Sequence, residues 1–260
     1  MRQKPFEAEF DGVVLRGTLY LPAGRRGLLP AAILVHGFGS NRMESGIFVR
    51  LGRALADRGI IAVAFDRTGH GESDGSFTDL SFDRDVADVL HVHDAVGALD
   101  TVDPGNLHLV GMSMGAVVAT VAAAARPDRC RSLTLISTAA SFADEIRGGT
   151  LQGHPVDVLT ADGYFDFLGA RLCTDFLQAA PGIDVYGRAR GFAGPVRMLH
   201  GTADFIPVAY AERYRQVYGD KLDITIVPEA DHGWTSVRLR DLIVSETVTF
   251  IGALANRSGR

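Results

Sequence analysis

Gly111-Met112-Ser113-Met114-Gly115 sets a serine between two glycines in the pattern Gly-x-Ser-x-Gly. In a nucleophile elbow of this form the serine tops a strained turn from strand to helix, and the glycines leave room for neighbouring backbone. Gly71-Glu72-Ser73-Asp74-Gly75 matches the same pattern. Context separates the two. Residues 107–110 read as a strand and the Ala-rich stretch 116–125 as a helix, so the first serine has both required flanks. The second lies between Asp66-Arg67-Thr68-Gly69-His70 and Ser76-Phe77-Thr78-Asp79, which is loop chemistry. Ser113 is the candidate nucleophile and Ser73 a turn residue.

A serine hydroxyl needs a base within reach to take its proton. Behind such an elbow the chain order is serine, acid, histidine, which leaves His154, His200 and His232 of the eight histidines. His154 falls in a long insertion, and His200 ends a strand with too little chain before it for an acid. His232 sits in the loop Pro228-Glu229-Ala230-Asp231-His232-Gly233-Trp234 after the last expected strand, where α/β sheets gather reactive groups. The acid must hold the imidazole and stabilise its cation. Asp204, in His200-Gly201-Thr202-Ala203-Asp204, meets the order; Asp231 adjoins the histidine and points away from its ring in most loop geometries, and Glu229 is a further rival. An oxyanion hole needs two backbone N–H groups. Met114, following the nucleophile, supplies one, and Phe38 in His36-Gly37-Phe38-Gly39-Ser40 the other, with His36 structural.

These loops need a sheet beneath them. Apolar runs at 31–35, 60–65, 107–110, 133–136, 196–200 and 224–227 suit parallel strands buried on both faces, preceded by strands at 6–10 and 13–20. Helical patterns fall at 48–58, 82–99, 114–125, 210–218 and 242–254, and the alternation marks an α/β protein. Residues 137–194 break it. They hold Phe142, Tyr164, Phe165, Phe167, Phe176, Tyr186 and Phe192 without a clean strand, and are read as a cap inserted between core segments 1–136 and 195–260. Residues 256–260 are read as a frayed tail.

Composition sets outer bounds. The 260 residues suffice for one large core, and a net charge of −5 argues against nucleic-acid or anionic-membrane partners. Cys130 and Cys173 are too few for a disulfide scaffold, and no Cys/His cluster has zinc spacing, so no metal is expected. His91-Val92-His93 on a helix points its rings apart, and Gly37-Phe38-Gly39 lacks the third glycine of a dinucleotide site. Without an apolar h-region at the N-terminus or an apolar run long enough to span a bilayer, a cytoplasmic location is expected.

On these motifs, with Asp66-Arg67-Thr68-Gly69-His70-Gly71-Glu72-Ser73 added, the chain resembles the α/β-hydrolase superfamily over nearly its whole length. That resemblance implies a mostly parallel eight-stranded sheet flanked by helices, and a serine hydrolase without a cofactor. Within it the chain looks most like bacterial cinnamoyl (feruloyl) esterases, which join an His-Gly-Phe oxyanion loop to a compact cap. In that family a cap Gln-Gly pair hydrogen-bonds a phenolic hydroxyl, aided by an acid upstream. The resemblance implies Gln152 of Gly149-Thr150-Leu151-Gln152-Gly153 for the glutamine, Glu145 or Asp144 for the acid, and Gly37 beside the substrate. Met112 stands where the family often has histidine. The partner expected is a small-molecule ester, with a homodimer left open. An acyltransferase or thioesterase on carrier-linked acyl groups, a lyase or cofactor-free enzyme, and a non-catalytic binding module are the rival readings.

Overall fold

The computed structural model describes residues 1–24, 27–157, 159–160 and 162–255; the tail expected at 256–260 lies outside the described residues. The chain opens with a hairpin, β1 (Arg2–Phe10) and β2 (Val13–Leu21), closed by Asp11 and Gly12, both left-handed. It continues through β3 (Leu29–Val35), α1 (Ile47–Asp57), β4 (Ile61–Phe65), α2 (Phe82–Gly97), β5 (Val102–Met112), α3 (Met114–Ala125) and β6 (Ser132–Ile136). Between β6 and the next sheet strand come α4 (Phe142–Arg147), the short pair β7 (Thr150–Leu151) and β8 (His154–Pro155), a second pair β9 (Phe165–Phe167) and β10 (Ala170–Leu172), α5 (Thr174–Ala179) and α6 (Val185–Arg188). Then follow β11 (Val196–Gly201), α7 (Val208–Glu212), α8 (Arg215–Tyr218), β12 (Leu222–Val227) and α9 (Val237–Ala255).

Eight strands form one sheet in the order β1-β2-β4-β3-β5-β6-β11-β12. β1 with β2 and β2 with β4 are antiparallel, and every other pairing is parallel. β4, β6 and β11 are buried at every residue because helices cover both faces, which is why β4 reads as an unbroken apolar run, while β6 and β11 bury Thr134 and Arg197 among their apolar residues. Alternate side chains feed two cores. Ile33, Val35, Val63 and Phe65 join the layer of α2 and α3, whereas Ala32, Leu34, Ala62 and Ala64 join that of α1 and α9.

The sequence-expected cap corresponds to the connection from β6 to β11, and it holds two hairpins of two- and three-residue strands that no periodicity announces. The single helix expected at 210–218 is instead α7 and α8, and the break turns Tyr214 into the core, stacked on Tyr218. Cys130 and Cys173 are free thiols, and no helix among the described residues is long and apolar enough to cross a membrane. The strand order reverses around β3, which has β4 on one side and β5 on the other. Ligands of open α/β sheets sit at such a switch point, beyond the strand C-termini. The loops after β3 and β5 meet there.

Candidate active site

Ser113 follows β5 directly and holds φ 56°, ψ −123°, a conformation L residues rarely adopt, immediately before α3. A Cβ on Gly115 would fall onto the carbonyl oxygen of Val35, so glycine is what lets the first turn of α3 press against β3. The second candidate pentapeptide behaves differently. Ser73 Oγ accepts from Arg16 N–H at 2.8 Å and donates to the Asp66 carbonyl at 2.6 Å, tying a surface turn to β2.

His232 comes from the loop after β12 and Asp204 from the loop after β11. A Cβ on Gly201 would overlap the Ala230 carbonyl, so these two loops touch only because residue 201 has none. His232 Nε2 lies 2.9 Å from Ser113 Oγ, and its Nδ1 lies 2.9 Å from Asp204 Oδ1. A carboxylate only accepts, so Nδ1 carries the hydrogen and Nε2 is free to accept from the serine. Burial pushes the Asp204 carboxyl up, but the hydrogen bond and charge of His232 and the Ile206 N–H outweigh it, and the group stays below its ordinary value. The Asp204 side chain is fully buried and His232 partly exposed. Trp234, wholly buried, anchors the histidine loop by donating from Nε1 to Ser137 Oγ at 2.9 Å.

The rival residues have other partners. His200 donates from Nε2 to the Ile206 carbonyl at 2.9 Å, beneath the Asp204 loop. Asp231 caps its own loop through Thr235. His91 stacks on Phe10 while His93 is buried against the Arg129 carbonyl, and no group of three or more His, Cys, Asp or Glu able to hold a metal occurs among the described residues.

Phe38 and Met114, the residue after Ser113, line one narrow crevice. The Met114 N–H is the first of α3 and has no intrahelical acceptor. The Phe38 N–H is aimed by its neighbours. The Gly37 carbonyl accepts from Arg67 Nη2 at 2.9 Å and from His36 Nδ1 at 2.8 Å, while His36 Nε2 accepts from Arg67 N–H at 3.1 Å. All peptides described are trans, so pinning this carbonyl turns the Phe38 N–H to the opposite side. Arg67 is itself held by Asp85, and both are buried. Gly37, assigned to the substrate by resemblance, has its N–H and C=O committed inside the protein; only its Cα edge faces Ser113.

The crevice has room for about one water, ~10 Å³, between Phe38, Met114, Phe142, Leu151, Ile206 and Phe205. Glu145, Gln152 and Phe205 separate it from an open cavity of about 480 Å³ that Asp144 and Tyr210 also line. Glu145 is held by the Ser141 hydroxyl and accepts the Gln152 N–H at 3.0 Å, whereas Asp144 is taken up by Tyr210 and Arg147. Phe205, 52% exposed, lays its ring 4.4 Å from that of His232. Sequence reasoning missed Arg67 and Phe205; a buried arginine has no local signature, but an aromatic directly after the candidate acid was a readable one.

Burial also gives the site a pH signature. His36 is pushed well below its ordinary value by desolvation and the nearby Arg67 charge. His70 falls to about 3 for the same reasons, and His108 to about 3 by burial and Arg131. All three are neutral when folded but titrate near 6.5 when unfolded, so the unfolded chain gains protons as pH drops. Their contribution is complete above about 6.5 and is lost below it, by on the order of 1 kcal/mol per pH unit per histidine. Asp85, raised by burial to about 6, offsets one of them between its unfolded and folded values. The urea midpoint is therefore expected to fall from pH 7.5 to pH 5; a flat or rising midpoint contradicts this.

An elbow serine at the switch point of this sheet, bonded to a histidine and a carboxylate from later loops, defines the α/β-hydrolase class. A family model described as the alpha/beta hydrolase fold matches residues 30–220, and the chain belongs to that family. It is 36% identical over 149 residues to the dihydrolipoyllysine-residue acetyltransferase component of the acetoin cleaving system of Pseudomonas putida, covering 57% of this chain and 36% of that protein. To the pimeloyl-[acyl-carrier protein] methyl ester esterase of Chromobacterium violaceum it is 29% identical over 185 residues, covering 65% and 66%. The chain thus spans between about a third and two thirds of these curated relatives. Est1E of Butyrivibrio proteoclasticus with bound ferulic acid superposes with a TM-score of 0.85 at 24% identity, covering 96% of this chain and 98% of that one, a likeness of fold.

Proposed function

We propose that the chain is a serine hydrolase that cleaves carboxylic esters through an acyl-enzyme, with hydroxycinnamoyl esters as its substrate class. The observation that carries the chemistry is the unbroken Ser113–His232–Asp204 chain, 2.9 Å at each link. Ser113 Oγ attacks the ester carbonyl as His232 Nε2 takes its proton, and the Phe38 and Met114 amides receive the developing oxyanion. The imidazolium then gives that proton to the departing alcohol. Water repeats the sequence on the acyl-serine and regenerates the free hydroxyl. These steps call on no metal or cofactor.

The substrate class rests on the crevice walls. Phe142, Leu151 and Ile206 suit a planar apolar acyl group, and Glu145 with Gln152 offers polar partners at its end. Gln152 has φ 50° and Gly153 φ 80°, so the glutamine occupies a turn position that favours glycine or asparagine, at the tip of the β7–β8 pair over the mouth. A crevice of ~10 Å³ admits a cinnamoyl group only after a wall moves, and half-exposed Phe205 is the wall free to turn.

Gln152→Ala is expected to lower kcat/KM for methyl ferulate about 10-fold, the worth of one hydrogen bond, while changing that for unsubstituted methyl cinnamate less than about 2-fold. Equal effects on both esters remove the hydroxycinnamoyl assignment. Turnover of acyl-thioesters with neither methyl ester cleaved replaces it with the thioesterase reading.

A further inference from the structure

Glu44 buries a carboxyl that the proton relay does not use. It lies in the loop between β3 and α1, 7% exposed, and its Oε2 accepts the Gly37 N–H at 2.5 Å while its Oε1 accepts the Ser40 hydroxyl at 3.1 Å. A methyl group on Gly37 would lie 3.1 Å from Ser113 Cβ and 3.6 Å from both Ser113 Oγ and Glu44 Oε2. The carboxyl therefore meets the loop on the edge that faces the nucleophile. Burial raises this carboxyl above its ordinary value, opposed by the Gly37 N–H, the Ser40 hydroxyl and the charges of Arg67 and His232.

The backbone is distorted to put it there. Glu44 and Ser45, neither of them glycine, hold φ 44° and 52°, and Gly46 follows at 85°. Consecutive left-handed residues with side chains are uncommon, and such outliers persist where the surroundings hold them and often where function needs them.

Gly37 is the soft joint of the oxyanion loop, since it has no side chain to restrict its torsions. Arg67 and His36 hold the peptide on its C-terminal side through the Gly37 carbonyl. The other peptide, between His36 and Gly37, is met at its oxygen by the same Arg67 Nη2, at 3.2 Å, and at its N–H by Glu44. We infer that Glu44 is a positioning residue for catalysis: by accepting the Gly37 N–H it completes the hold on the second peptide, opposite the arginine, so that the Phe38 amide meets the oxyanion already oriented. This rests on the serine-hydrolase reading above. The orientation matters only once negative charge develops, so losing it lowers kcat and leaves KM nearly unchanged. The property used is acceptance of a hydrogen bond. A glutamine can accept from Gly37 through its carbonyl and donate to Ser40 through its amide.

The experiment compares wild type, Glu44→Ala and Glu44→Gln by steady-state kinetics on p-nitrophenyl acetate, thermal midpoint, and the rate of Ser113 phosphonylation by a fluorophosphonate, whose phosphoryl oxygen occupies the same hole. In Glu44→Ala, kcat and the phosphonylation rate are expected to fall together by about 10- to 100-fold, below the loss from deleting an oxyanion donor outright, with KM within about 3-fold. Glu44→Gln is expected to recover to within about 3-fold of wild type. Wild-type kcat in Glu44→Ala overturns the inference, as does a Glu44→Gln as impaired as the alanine variant. Should Glu44→Ala not fold, Ser40→Ala, which frees only Oε1, is expected to lower kcat several-fold at constant KM, and an unchanged kcat overturns the inference. A wild type that forms no phosphonate adduct at Ser113 removes the hydrolase reading and this inference together, whereas a labelled wild type with an unaffected Glu44→Ala removes this inference alone.

Discussion

Replacing Ser113 by alanine is expected to lower kcat on p-nitrophenyl and hydroxycinnamoyl esters by about 10⁵- to 10⁶-fold, to whatever the oxyanion amides and binding supply without a nucleophile. The fold should survive. Among the described residues the Ser113 hydroxyl is bonded to His232, and the loss of that bond costs about 1 kcal/mol. The strained backbone at φ 56°, ψ −123° is held by its flanks, because the Ser113 N–H donates to the Ile136 carbonyl at 2.9 Å and its own carbonyl accepts from Ala116 and Ala139. Circular dichroism and the thermal midpoint should therefore match wild type while turnover vanishes. Retention of a tenth or more of the activity would refute the nucleophile. Ser73→Ala provides the control, since that hydroxyl is spent on Arg16 and Asp66 and its loss should leave kcat within about 2-fold.

Asp204→Asn is expected to lower kcat about 10²- to 10⁴-fold, and the reason is the lost negative charge. Asp204 Oδ1 accepts from both His232 Nδ1 and the Ile206 N–H. An asparagine whose carbonyl takes the Oδ1 place keeps both bonds, so the ring hydrogen can stay on Nδ1. The imidazolium formed in the reaction then loses the buried carboxylate charge that stabilises it. Because the substitution is nearly isosteric, KM and the thermal midpoint should change little, and kcat is the readout. A fall of less than 10-fold would assign the orienting role elsewhere, with Asp231, held to Thr235 in this structure, the first alternative to substitute.

The parts of the fold most open to sequence reading were those whose burial is complete. β4, β6 and β11 lie under helices on both sides, so most of their residues are apolar and the runs stand out. Both sides of the elbow were readable because a close approach leaves glycine as the solution, and glycine is visible in a string of letters. α9 begins at Val237, earlier than the apolar pattern from 242 suggested. Val237 is exposed and breaks the periodicity, but Ser236, whose Oγ accepts from Leu239 N–H at 3.2 Å, was a legible cap. Strands of two and three residues such as β7 and β9 carry no period at all.

Within the site, Ser113, Asp204 and His232 were found by order and context, and the structure brings them together. The residues behind them were not. Arg67 and Glu44 act on Gly37 from 30 and 7 positions away, through bonds that only the folded loops create. A charged residue in a loop is by default a solvated one, and nothing local marks the few that are buried.

The most direct test mixes the wild-type protein with p-nitrophenyl acetate at low pH, quenches within milliseconds, and reads the intact mass and the modified peptide. A mass increase of one acetyl group on the peptide carrying Ser113, absent from Ser113→Ala, is the expected result. Steady ester turnover with no acylated species, or an acyl group on any other residue, contradicts it.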